Sequence, residues 1–386
     1  MKTKNLIRLT TAMLALAGCS QNEITEQSPE VNRAVGFNVY TGVQTRGTEM
    51  NLDAVKASGF GIMAYLTPNA DYATGAAKAE FMNNQEVTWN ASANSNNGAW
   101  EYTPLKFWPT NIQDRISFFA YAPYANSNGI TLNSATASTD PSLEFELATG
   151  QKNMVDLVVS NPTETGSNTM NQTSTSNSGT VPFKFKHVLT RVAMKAKTSV
   201  DISSNGLTKV YIKSVKLAHS SILAKKATLN MKSLEWGTPA TYLDASYELK
   251  DATDATAPGV LNLQNTTAFG SYGTGTKTID ISTTADGVDL FPTGEYLFLI
   301  PVGNATGTAQ EGDVKVVIAY DIVTKASTTS SNVSIASQEK EVKLPQYALK
   351  AGTAYLYTFT VSLNEIKVSA DVKGWGTVSD ETLSPN

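Results

Sequence analysis

The residues with chemical potential are few, and the clearest lie near the start of the chain. Leu16-Ala17-Gly18-Cys19 follows a basic beginning (Lys2, Lys4, Arg8) and a short, mostly apolar run from Leu9 to Ala17. That run is far below the ~20 residues needed to span a bilayer. The pattern is that of a bacterial lipobox. There the Cys19 thiol is acylated, and cleavage before it removes residues 1–18 as a signal peptide. The competing interpretation is an ordinary secretory signal in which small residues precede an incidental cysteine. Acylation would hold the precursor on a membrane by its lipid chains. Ser20, not Asp, follows the cysteine, which does not favour retention at an inner membrane. A second reactive position is Thr45-Arg46-Gly47, a flexible basic site suited to a trypsin-like cut after Arg46. Arg33 also precedes a small residue and is the alternative position.

No other constellation points to catalysis. The two histidines, His187 and His219, sit inside alternating strand-like runs, with no His or Cys at ligand spacing. They are expected to be half-buried structural residues. No G-x-S-x-G nucleophile elbow occurs. Gly270 to Thr278 resembles a phosphate loop only loosely, because Thr276 separates Gly275 from Lys277 and no strand-to-helix context surrounds it. Asp280, Asp286 and Asp289 lack the spacing of a calcium-binding EF-hand loop and are expected in a solvated turn. Trp89, Trp100 and Tyr102 have faces that could stack on sugar rings, but core and loop-anchoring roles are the commoner use of aromatics in sandwiches. The reading is therefore of a protein without enzymatic activity, metal or cofactor.

The elements that position the reactive residues are strands. The chain has 386 residues, of which 41% are hydrophobic and only 17% charged. Many short alternating runs are split by Gly, Pro, Asn and Asp, which predicts an all-β protein built of sandwiches. Net charge is −4 and gives no electrostatic reason to expect nucleic acid. The single cysteine excludes an intrachain disulfide and a cysteine zinc cluster.

Two runs stand out. Val35, Phe37, Val39, Thr41 and Val43 alternate with Gly36, Asn38, Tyr40, Gly42 and Gln44 just before Arg46. At the other end, Ile366, Val368, Ala370 and Val372 alternate with Lys367, Ser369 and Asp371. Each has the period of a strand with one buried face. Further strands are expected at 60–66, 116–122, 143–147, 156–160, 183–189, 191–196, 210–217, 227–231, 296–300, 314–322, 341–344 and 355–363. Residues 161–180 are nearly all Ser, Thr, Asn, Gly and Gln, too polar for a core. They are placed at a domain boundary, with a long loop inside one domain as the alternative. The expected division is residues 19–46 as tether and removable strand, 47–180 as a first sandwich, and 181–386 as a second.

The lipobox, the strand with Thr45-Arg46, Phe107-Trp108-Pro109, Ile116 to Pro123, Phe183 to Arg191, Gly352 to Leu363 and Ile366 to Trp375 together resemble the Mfa-like fimbrillins of type V pili. The resemblance spans nearly the whole chain. It implies two transthyretin-like β-sandwiches in tandem, export as an outer-membrane lipoprotein precursor, and cleavage after Arg46 by an Arg-specific protease. It further implies loss of the first strand (Val35, Phe37, Val39, Val43), whose groove is refilled by Ile366, Val368, Ala370 and Val372 of a neighbouring subunit. Partners are then other pilus subunits, with a host protein or glycan as receptor. Two rival expectations stay open. The terminal strand could pair with Tyr355 to Leu363 in its own domain. The chain could also be a surface lipoprotein that binds glycans or host proteins without polymerising.

Overall fold

The computed structural model describes residues 33–40, 50–75, 78–124, 129–200, 206–265, 272, 276–282, 284–301, 313–330, 332–345 and 349–375. Cys19, Val43, Arg46 and Gly47 lie outside them, as does most of 270–278. The protein is all-β, and the strands of its first half are β1 (Gly36–Tyr40), β2 (Phe60–Thr67), β3 (Ala79–Asn90), β4 (Ala99–Glu101), β5 (Arg115–Ala122), β6 (Ile130–Asn133), β7 (Ser142–Glu146), β8 (Val158–Ser160) and β9 (Thr180–His187). The second half contains β10 (Thr190–Thr198), β11 (Thr208–His219), β12 (Ala224–Asn230), β13 (Thr241–Tyr242), β14 (Ser246–Leu249), β15 (Gln264–Asn265), β16 (Lys277–Asp280), β17 (Val288–Asp289), β18 (Leu297–Leu299), β19 (Val314–Lys325), β20 (Val333–Lys343), β21 (Thr353–Val361) and β22 (Ile366–Gly374).

Four sheets result. Seven strands run in the order β1-β9-β8-β5-β2-β3-β4, and a second sheet runs β17-β10-β21-β22 with β18 also on β10. A third runs β15-β16-β11-β19-β20 with β14 also on β11, and a fourth β13-β12-β7-β6. β5 shows why the seven-stranded sheet reads as a continuous apolar run. Ile116, Phe118, Ala120 and Ala122 enter one buried cluster with Val35, Phe37 and Val39. Phe119 and Tyr121 point the other way, into a larger cluster shared with the second half of the chain. A strand buried on both faces has no polar face to alternate with. One short helix, α1 (Leu52–Ser58), covers the first cluster with Val55. Its N-cap Asn51 accepts the Ala54 N–H through its side chain, and Gly59 ends it at φ 69°.

Three sequence expectations change. Residues 161–180 are not a solvated linker. Gln172 and Ile116 exchange backbone hydrogen bonds, and the Phe118 N–H donates to the Thr169 carbonyl while the Thr169 hydroxyl donates to the Phe118 carbonyl. The polar side chains satisfy buried backbone, and Thr169 is fully buried. Nor do the sheets divide at 180/181. β9 belongs with β1 and β8, and β7 pairs with β12 across that division. Finally, β3 is a strand that the sequence reading does not anticipate. Its buried residues Met82 and Val87 are five positions apart, which breaks strict alternation. Register irregularities between Ile62 and Tyr65 absorb the odd residue.

Candidate strand-exchange site

β1 is an edge strand whose inward residues are all buried. It runs parallel to β9, from Gly36 opposite Thr180 to Tyr40 opposite Lys184. Val35, Phe37 and Val39 are 2%, 6% and 8% exposed, whereas Tyr40 on the opposite face is 53% exposed. Phe37 is the keystone. Its ring centroid lies 5.1 Å from Tyr102, 5.7 Å from Phe183, 6.2 Å from Phe118 and 6.3 Å from Phe60.

A strap formed by residues 106–108 closes the other side of the strand's start. The Val35 N–H donates to the Lys106 carbonyl at 2.9 Å, and the Trp108 N–H donates to the Arg33 carbonyl at 3.0 Å. The Tyr102 hydroxyl donates to the Val35 carbonyl at 2.9 Å. Burial pushes the Tyr102 pKa up, so the hydroxyl remains a donor. The strap is itself fixed where the Trp108 indole N–H donates to the Gly179 carbonyl at 3.1 Å. Gly179 has φ +77°, and a Cβ there would meet the Arg33 side chain at 2.5 Å. A side chain at 179 would be strained by that φ and would have to push the Arg33 side chain aside. The Arg33 guanidinium also donates to the Ser174 carbonyl. Among the described residues, β1 beyond Val35 has only β9 as a strand neighbour.

The terminal strand lies elsewhere. β22 pairs antiparallel with β21 over nine residues, from Val361 opposite Ile366 to Thr353 opposite Gly374. In this chain, then, the pairing is the intramolecular one that stood as the rival expectation. β22 ends its sheet, and its apolar face is thinly covered. Ile366 is 9% exposed, Val368 and Ala370 are half-buried, and Val372 is 38% exposed. β1 and β22 belong to different sheets and different core clusters, so the fold does not bring the two alternating runs together.

The aromatics considered for sugar stacking are structural. Tyr102 is buried beside Phe37, and Trp100 packs edge-on against Phe60 at 5.0 Å. Trp89 packs on Trp100 at 5.1 Å and carries the Lys56 ammonium 4.6 Å above its ring. His219 is 6% exposed and its Nδ1 accepts the Ile222 N–H; burial lowers its pKa. Among the described residues no group of three His, Cys, Asp or Glu side chains is placed to hold a metal ion.

Sequence reasoning missed how His187 is used. Its Nδ1 lies 2.9 Å from Asp156 Oδ2, and its ring stacks on Trp375 with centroids 4.1 Å apart. The three residues are 31 and 188 positions apart, so no local spacing signals the cluster.

Comparison with known proteins agrees with this architecture. The fimbrillin-like family pattern matches residues 45–375. The chain is 38% identical, over its full length and 99% of the relative, to the fimbrium subunit Fim1C of Phocaeicola vulgatus. It also superposes on the crystal structure of a fimbrial protein from Bacteroides vulgatus with a TM-score of 0.74 and 35% identity, covering 89% of this chain and 100% of that one. A full-length relative at this identity and a pattern spanning most of the chain together place it: the protein belongs to the fimbrillin-like family.

Proposed function

We propose that the chain is a structural subunit of a cell-surface fimbria that polymerises by exchanging β1 for the β22 strand of a neighbour. In this reading it is exported as a precursor acylated at Cys19 and held at the outer membrane. It is then cut after Arg46 and assembled head to tail, and it carries no enzymatic activity. The observation that carries the reading is an asymmetry of burial. The slot under β1 covers three consecutive inward residues almost completely, while β22 covers only Ile366 so well in its own chain. Moving β22 into a vacated slot would gain apolar burial worth up to about 1.5 to 3 kcal/mol per large aliphatic residue, before ordering costs. The open edge of β9 would supply backbone hydrogen bonds by strand addition. Because slot and strand lie in different sheets, the contact is heterologous, and such contacts build filaments when they do not close into rings.

Arg46 suits the cut better than Arg33. The Arg33 carbonyl accepts the Trp108 N–H and its guanidinium donates to Ser174, so its backbone is pinned in the fold. The test is to treat purified precursor with an Arg-specific protease. The product should begin at Gly47 and form a ladder of oligomers, and Arg46→Ala should abolish both. A chain ending at Leu363 should be cut without forming a ladder. Persistent monomers after complete cleavage of the full chain would overturn the reading.

A further inference from the structure

The end of β22 is fastened by side chains that strand exchange does not itself require. The turn at 362–365 closes one end of the β21–β22 hairpin, where the Ser362 N–H donates to the Glu365 carbonyl. The other end is the one from which an edge strand frays. Trp375 sits there, 6% exposed, with its N–H donating to the Gly352 carbonyl. Its indole lies flat on the His187 imidazole, at 4.1 Å and 9°, and parallel to Phe298 at 5.6 Å. The buried Arg191 guanidinium stands 5.4 Å from the same indole and 4.6 Å from the Tyr296 ring.

His187 closes β9, the strand that holds β1. Its ring is oriented by Asp156, which is fully buried. A carboxylate only accepts, so Nδ1 carries the proton toward Oδ2. That same Oδ2 accepts the Met50 backbone N–H at 2.8 Å, and the other oxygen, Oδ1, has no hydrogen-bond partner. One buried oxygen therefore joins Met50, four residues after Arg46 in sequence, to the ring on which the end of the terminal strand is stacked.

We propose that Asp156, His187 and Trp375 form a latch that keeps β22 in its own chain and ties its release to the backbone at Met50. The proposal rests on the strand-exchange reading for its biological purpose. Its physical basis is separate. Losing the Met50 N–H would leave the buried carboxylate with His187 alone, an unfavourable state that weakens the group holding the ring in place. Losing the flat stack would free the open end of an edge strand that, among the described residues, pairs with β21 alone. Asp156 acts here as a positioning residue, through His187.

The test uses the uncut full chain and amide hydrogen exchange followed peptide by peptide. Trp375→Ala should speed exchange across 366–374 by about tenfold, the scale of one lost aromatic stack, while 180–187 keeps its protection. Trp375→Phe, which is safer for folding, should give a smaller change in the same residues. Asp156→Asn should also speed exchange across 366–374, and should add nothing once Trp375 is already Ala. Unchanged exchange at 366–374 in both Trp375 variants would overturn the latch. Additive effects of the Asp156 and Trp375 changes would overturn the tie to Met50. Because every measurement is made on uncut monomer, failure of strand exchange would appear separately, as cleaved chains that form no ladder.

Discussion

Phe37→Ala separates a strand that stays from a strand that leaves. In the uncut chain the ring touches four other aromatics with centroids between 5.1 and 6.3 Å. Truncating a fully buried Phe costs about 3 to 5 kcal/mol, combining lost transfer energy with the cavity left behind. Each aromatic pair contributes about 0.5 to 1.5 kcal/mol beyond area, which puts this site in the upper part of that range. The strap hydrogen bonds at Val35 and the β9 ladder are backbone interactions, so the substitution leaves them in place. Urea unfolding of uncut Phe37→Ala should therefore show a loss of about 3 to 5 kcal/mol with an unchanged slope. After cleavage and assembly, wild-type and variant oligomers should unfold identically, because residue 37 has departed with its strand. Cleaved Phe37→Ala should also assemble faster than wild type, since a weaker strand leaves its slot more readily. An assembled oligomer as sensitive to the substitution as the precursor would refute the reasoning, since β1 would then still occupy its groove. A loss below about 1 kcal/mol in the precursor would refute the keystone role of the ring.

Three further outcomes follow from the same geometry. Tyr102→Phe removes the hydroxyl that donates to the Val35 carbonyl. It should cost about 1 kcal/mol in uncut chain by urea unfolding and speed hydrogen exchange in β1, with no effect on assembled oligomer. Trp100→Ala should lower the stability of the uncut chain in urea unfolding, because the ring packs on Phe60, by less than the ~3 to 5 kcal/mol of a fully buried Trp. A variant that keeps its stability but loses glycan binding on an array would instead restore the sugar-platform reading. The third concerns acid. Glu164 receives Lys186 at 2.6 Å and Lys184 at 3.0 Å, and those contacts hold its carboxyl down at about 2 from an ordinary 4.5. The unfolded chain binds the proton first, so the contribution is complete above about pH 4.5 and fades as pH falls toward 2. Glu164→Gln should flatten that acid limb in urea midpoints measured against pH, and an unchanged slope would exclude the cluster.

How much was legible depended on whether a feature was local. The alternation of Val35, Phe37 and Val39 and that of Ile366 to Val372 mark two strands with a single apolar face, and each forms a strand in the structure. The run 116–122 likewise announces a buried strand, though not that its two faces serve different cores. β3 was hidden because a bulge shifts its parity, and a period-2 search cannot follow a shift set by the partner strand. The polar stretch 161–180 was misread because its backbone and the Thr169 hydroxyl bond to a strand some fifty residues away. Composition records that its residues are polar and not what they bond to.

The amino-acid order alone determined the class of the fold and the face that each alternating strand buries, because both are written in side-chain type and short spacing, and the proposals at Cys19 and Arg46 rest on the same kind of local pattern. Only the tertiary structure decided which strand lies beside which, that β1 sits under a strap while β22 pairs with β21, and that Asp156, His187 and Trp375 meet. Those are contacts between residues tens to hundreds of positions apart, and they exist only once the sheets have packed and their cores have excluded water.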